Sequence, residues 1–239
     1  MTQDMLAIEI KRLRRIVALL ALGMVAMIVL GAGSSDLDER VLTVERINVV
    51  EPDGTLAMVI GSAQRLPNAI VGGEEIAESR AAAGMLFFNH KGDECGGLIY
   101  RTLELDDGRV VGYVHLSMDQ CEQNQVVKLA AVQNIRGVTS GLTVIDRPTD
   151  MTLAEVFDLQ RRAGADGDAR AELEALDAAG RLGADRVFVG SRDRDASVDL
   201  KDAFGRTRLR FVVDAQGVAR IEFLSEAGEV VKTVDAEGA

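Results

Sequence analysis

The 239 residues carry 27 basic and 38 acidic side chains, a formal charge of −11, and 47% of them are hydrophobic. That balance excludes wholesale disorder, and its sign opposes binding to a nucleic-acid backbone. Nine aromatic side chains with no Trp leave few platforms for stacking bases, and two histidines, His90 and His115, limit zinc or His-based chemistry.

The first feature along the chain is an unbroken apolar run, IVALLALGMVAMIVLGA, from Ile16 to Ala32. At about 1.5 Å per residue it covers roughly 25 Å, near the lower limit for a bilayer core of about 30 Å. The run predicts one transmembrane helix over 16–33, with the lipid bilayer as its partner. Lys11, Arg12, Arg14 and Arg15 precede it and Asp36, Asp38 and Glu39 follow it. The positive-inside bias then places residues 1–15 in the cytoplasm and everything after the span on the other side. A cleaved signal peptide ending near Gly31 or Gly33 is the rival, but the apolar run is slightly long for one. The expectation is an uncleaved anchor. Without the first 33 residues the chain holds 23 bases against 36 acids, a net of −13.

Residues 34–43 read as a linker, and 44–239 as one β-rich domain. Val44–Val50 and Thr55–Ile60 flank a Glu51-Pro52-Asp53-Gly54 turn, a hairpin signature. Gly84–Phe88 with Gly96–Tyr100, then Val110–Met118 with Val126–Val132, predict further pairs, followed by Gly141–Asp146. Over 152–182 the period becomes helical: Thr152 with Glu155 forms a candidate capping box, and two short helices break around Gly164–Gly167. At the C-terminus Asp202-Ala-Phe-Gly205, Asp214-Ala-Gln-Gly217 and Ser225-Glu-Ala-Gly228 interrupt strand-like stretches at near-equal spacing. The fold class expected is mainly β: a transmembrane helix, then an antiparallel meander of sandwich or barrel type with a two-helix insertion.

The densest polar cluster is Asn89-His90-Lys91-Gly92-Asp93-Glu94-Cys95-Gly96-Gly97. His90, Asp93, Glu94 and Cys95 are metal-ligating types, yet their spacing matches neither an EF-hand nor a paired-Cys zinc site. A tight turn explains the glycines as well. With His115 and Asp119 of a later strand, His90, Asp93 and Glu94 form the candidate polar binding cluster. Cys95 and Cys121 are the only thiols; a disulfide and two free thiols are both open readings. His115, Ser117 and Asp119 alternate on one strand, about 7 Å apart, too far for a hydrogen-bonded triad. Arg206, Arg208 and Arg210 put three guanidinium groups on one strand face, to pair with neighbouring carboxylates or to meet a partner.

The stretches Arg46-INVVEPDGTLAMVI-Gly61, Gly84-MLFFNHKGDECGGLIY-Arg101 and His115-LSMDQCEQNQVVKL-Ala130, with the Asp-x-x-Gly meander, resemble an uncharacterised family of bacterial membrane-anchored or exported β-rich proteins. The resemblance implies a bacterial membrane protein with one β-rich ectodomain and transfers no catalytic residues; joined to the positive-inside bias, it gives an inner-membrane location with the main domain periplasmic. No catalytic constellation, cofactor fingerprint or metal motif is read from the chain. The function expected is therefore non-enzymatic: an anchoring or scaffolding subunit of a larger membrane complex, respiratory or photosynthetic. The alternative is a free-standing ectodomain that binds or senses a small ligand. Other subunits of that complex are the expected partners, and the acidic surface would suit a basic soluble periplasmic protein.

Overall fold

The computed structural model describes residues 11–20, 22, 41–76 and 80–236. The chain divides into two units, residues 1–44 and 45–239. In the first, residues 11–20 are helical. Four of these ten are Lys11, Arg12, Arg14 and Arg15, leaving only five consecutive apolar residues, 16–20. No helix among the described residues is long and apolar enough to cross a membrane. The transmembrane helix expected over 16–33 is corrected accordingly: its continuous described portion, 16–20, is about one and a half turns, and residue 21 and residues 23–33 lie outside the described residues.

The second unit is built by one turn used repeatedly. In Glu51–Gly54, Asn89–Gly92, Leu105–Gly108, Asp202–Gly205, Asp214–Gly217 and Ser225–Gly228 the fourth residue's N–H donates to the first residue's carbonyl at 2.9–3.0 Å. The fourth residue is always Gly, with φ between 77° and 91°. That left-handed conformation is open to glycine without a Cβ penalty, and it sets a hairpin twist that suits the strands. The sequence marks five of these turns, the one at Asn89 included; the structure adds Leu105–Gly108.

The strands are β1 (Arg46–Val50), β2 (Leu56–Gly61), β3 (Ile70–Val71), β4 (Glu74–Glu75), β5 (Ala83–Phe88), β6 (Glu94–Glu104), β7 (Val110–Asp119), β8 (Gln125–Asn134), β9 (Gly137–Asp146), β10 (Ala184–Arg192), β11 (Asp195–Lys201), β12 (Thr207–Val213), β13 (Ala219–Leu224) and β14 (Val230–Asp235). Twelve form a single antiparallel meander in the order β1-β2-β5-β6-β7-β8-β9-β10-β11-β12-β13-β14, and β3–β4 is a separate ribbon. The sheet is one layer with β1 and β14 at its edges, where a sandwich or closed barrel was expected.

Opposed residues in an antiparallel ladder share a face. Following the register across the sheet gives one row: Ile47, Ile60, Met85, Leu98, Leu116, Leu129, Leu142, Val189, Val198, Phe211, Ile221 and Val234. Every position is apolar, and every one is at least partly exposed. The next row on that face runs Val49, Met58, Phe87, Gly96, Met118, Val127, Val144, Val187, Leu200, Leu209, Phe223 and Lys232.

The opposite face is covered differently in its two halves. Near the N-terminal edge, Val59, Leu86, Phe88 and Ile99 are buried with Leu66 and Ala82 from the connection 62–82. The strands approach closely there: a Cβ on Gly97 would come within 2.6 Å of the Met85 carbonyl oxygen on the neighbouring β5. Toward the C-terminal edge the same face carries Asp199, Arg210 and Glu222 in register.

Two helices, α1 (Leu153–Ala163) and α2 (Gly167–Ala178), interrupt the meander between β9 and β10. The Thr152–Glu155 capping box is present. The pair buries Leu159, Ala163 and Ala169 against Leu173 and Leu176.

Candidate functional site

Bulges decide which side chains meet at the turn end of β6 and β7. On β6, Gly96 opposes Phe87 and Glu94 opposes Phe88, so Cys95 is the extra residue. Without it Glu94 would share the apolar face with Gly96. The insertion moves Glu94 to the face of Leu86, which is also the face of Ser117 and Asp119 on β7.

Above this end the chain builds a cavity of about 510 Å³. One wall is the β3–β4 turn, where Gly72 and Gly73 have φ of 62° and 78°. The Gly73 N–H donates to Asp93 Oδ1 at 2.7 Å, pinning that turn to the β5–β6 loop. The facing wall is the first turn of α1, with Leu153, Ala154 and Phe157. It is tied to the β7–β8 loop, since the Leu153 N–H donates to the Glu122 carbonyl at 2.8 Å and Gln123 Nε2 donates to the Met151 carbonyl at 2.6 Å. Ile70 and Val71 add apolar surface, and Lys91 pairs with Glu122 at the exposed side.

The polar interior is unusual. Arg80 forms an ion pair with Glu94, both side chains being largely buried. Burial raises the Glu94 pKa above the ordinary carboxylate range, with the Arg80 guanidinium opposing. Asp119 is pushed up to about 7, first by burial and then by the Glu94 charge, against Arg147 and Arg80. Among the described residues two buried side-chain polar atoms have no hydrogen-bond partner, Arg80 Nε and Asp119 Oδ1. Both residues line this cavity. The two atoms themselves are closed to solvent, so a molecule that offers one donor and one acceptor reaches them once these side chains turn toward the hollow that their residues line.

The structure brings Asp93, Glu94 and Asp119 of the expected cluster together here, and leaves the histidines elsewhere. His90 is exposed in the β5–β6 turn, beside a separate hollow with Pro52 and Asp53. His115 sits mid-strand opposite Ile99 and Ala130, its ring stacked on Tyr113 at 6.0 Å. Its pKa is lowered by burial and then by the Lys128 and Arg80 charges. Among the described residues no group of three or more His, Cys, Asp or Glu is placed to hold a metal ion. Cys95 and Cys121 are free thiols, and burial, then the Asp119 charge, raises the Cys95 pKa.

The arginine stripe is engaged within the chain. Arg206 pairs with Asp202 at 2.8 Å and Glu226 at 3.2 Å, and Arg208 donates to the Leu224 carbonyl at 3.1 Å. Arg210 reaches Asp199 at 3.0 Å and Glu222 at 3.5 Å. Arg12, Arg14, Arg15 and Lys11 are exposed on the N-terminal helix.

Sequence reasoning missed Arg80, Gln123 and Phe157. Arg80 lies 39 positions before Asp119 and precedes no recognisable motif. The one local signal was Gly72-Gly73, a turn that brings the chain back over the sheet. Comparison of the chain with known protein families finds no family model that matches it, and comparison with curated proteins finds no match.

Proposed function

We propose that residues 45–239 form a non-enzymatic binding domain for a small amphipathic molecule carrying both a hydrogen-bond donor and an acceptor. An amino-acid-like zwitterion is the simplest such ligand. The observation that carries this reading is the pair of buried, unpartnered atoms, Arg80 Nε and Asp119 Oδ1, on two residues that line one cavity. A ligand amine would donate to Asp119 and favour its ionised form. A ligand carboxylate would accept from Arg80, and an apolar side chain would lie on Ile70, Leu153 and Phe157. A volume of about 510 Å³ falls in the ordinary range for small-molecule pockets.

Thermal melts of the full chain with each of the twenty free amino acids test this, with glycine betaine, a zwitterion that has no N–H donor, as the control that leaves the Tm unchanged. A ligand at about 100 times its Kd contributes on the order of 2.7 kcal/mol, which for a chain this size is a rise of several degrees. Asp119→Asn and Arg80→Gln should each abolish the rise while leaving the fold intact. A wild-type Tm that none of these compounds moves would exclude the zwitterion reading.

The expectation of a structural subunit draws support from a different feature, the exposed apolar face of the sheet.

A further inference from the structure

The face opposite the cavity has an unusual distribution of charge. The chain carries −11 overall, yet in the two apolar rows Lys232 alone is charged. Their side chains are not covered: Leu129 is 54% exposed, Phe211 43% and Val189 42%. Twelve strands at about 4.8 Å spacing extend the rows over roughly 50 Å, and two rows with their side chains span about 14 Å. The continuous apolar area is on the order of 700 Å². Monomers seldom expose contiguous apolar patches beyond a few hundred Å². About 800 Å² per partner is what a stable pairwise interface uses.

We infer that this face is the self-association surface of the protein, packing against the same face of a second copy to make a two-layer sandwich. Three features choose this occupant. The face is broad and shallow. The hollow on it is lined mainly by apolar residues, among them Val189, Val198, Phe211 and Ile221, and of its two charged residues, Arg220 and Asp235, the first is already engaged by Asp214 and Glu222. It is too open to enclose a small ligand. The connecting turns are rich in Asp and Glu, which opposes an anionic bilayer surface, where apolar faces are rimmed with Lys and Arg.

A second copy meets the remaining requirement. A two-fold operation lays an apolar ladder on an identical one, and its single charge, Lys232, lies on the exposed edge strand β14. Two twisted sheets packed at about 10 Å, with strand directions within about 30°, interdigitate their inner side chains as sandwich domains do. The dimer then has two layers of sheet, the second supplied by another chain.

Sedimentation equilibrium of the purified full chain over the micromolar range is the test, with L129K/F211K as the face variant and Arg194→Glu, in a turn, as the control. Wild type and control should show twice the chain mass of 25.6 kDa. L129K/F211K should weaken dimerisation at least 100-fold while keeping the wild-type circular dichroism. If that variant fails to fold, L129Q/F211Q reads the same effect with no buried charge. A wild-type monomer across the range overturns the inference. So does a folded face variant that still dimerises, or a stoichiometric lipid that co-purifies with wild type and is lost from the variant. These results do not depend on the cavity, whose ligand response is read separately at Arg80 and Asp119.

Discussion

The two halves of the sheet share one apolar face but solve the other face in opposite ways. In the half nearer β1, residues 62–82 fold back over the strands, and Val59 and Leu86 beneath them are 0% exposed. From β10 to β14 the connections are tight turns, with no spare chain to act as a cover. There the positions in register with Leu86 become Asp199, Arg210 and Glu222. Arg192 and Arg210 each donate to Asp199 at 3.0 Å, and Arg220 donates to Glu222 at 2.7 Å. Arg192 also lies over the Phe188 ring at 3.6 Å. The long aliphatic stems of arginine shield a strand face while their heads reach water. Loop length, rather than strand composition alone, decides which half has a core.

The largest test of that contrast is Leu86→Ala. A fully buried leucine truncated in a closed layer costs about 3 kcal/mol, and urea unfolding should show a loss of that order with the m-value retained. A loss below about 1 kcal/mol would mean that the connection 62–82 does not seal the layer.

Next comes pH, because the buried acids beside the cavity and the acids of the tight turns shift in opposite directions. The folded pKa of Asp119 is about 7 against an ordinary 3.8. Between about pH 4 and 7 the folded state therefore holds a proton that the unfolded state has released, so stability falls as pH rises through that window. Glu94 shifts in the same direction. In the other half the Asp214 pKa is lowered, chiefly by the Val218 N–H. Its contribution is present above the ordinary carboxylate range and is lost as pH falls through the lowered value. Asp119→Asn should melt several degrees above wild type at pH 8 and match it near pH 4. Equal melting at both pH values would remove Asp119 as the source of the slope.

Asp199→Ala probes the charged half. It is 1% exposed and holds two arginines that are themselves partly solvated. Rehydration of those heads limits the cost to about 2 kcal/mol, below the 3–5 typical of a fully buried broken pair. A loss matching that of Leu86→Ala would show the ion network to be as closed as the apolar layer.

These contrasts mark how much was legible beforehand. Turns were readable because a Gly at a left-handed position is a local requirement, and so was the capping box at Thr152. The apolar rows were half visible: alternation predicts a face for each strand, but only the register reveals that all the faces align. The cavity was least accessible. Asp93, Glu94 and Asp119 stood out as polar residues near turns, whereas Arg80 reaches them by a fold-back that has no local signature. The Cys95 bulge, which turns Glu94 inward, reads in the sequence as one more residue of a strand. At the N-terminus hydropathy alone suggested a span, and the described helix carries its charged residues inside its own length.

The smallest predicted effect distinguishes local from global order. Thr152 Oγ1 accepts the Glu155 N–H at 3.2 Å, and the Glu155 carboxylate accepts the Thr152 N–H at 2.7 Å. This reciprocal pair satisfies two donors that a helix N-terminus otherwise leaves open. The turn it caps, Leu153–Phe157, is also the apolar wall of the cavity. Thr152→Ala should cost about 1 kcal/mol and Thr152→Ser much less, since a serine hydroxyl can accept the same bond. The sheet does not depend on that cap, so the change should be spatially confined. Amide exchange over 153–157 should accelerate several-fold in Thr152→Ala, while β11–β14 keep wild-type protection. Faster exchange across β11–β14 as well would mean that the two halves open as one unit. The helix would then be part of a single cooperative structure rather than a wall attached to one end of it.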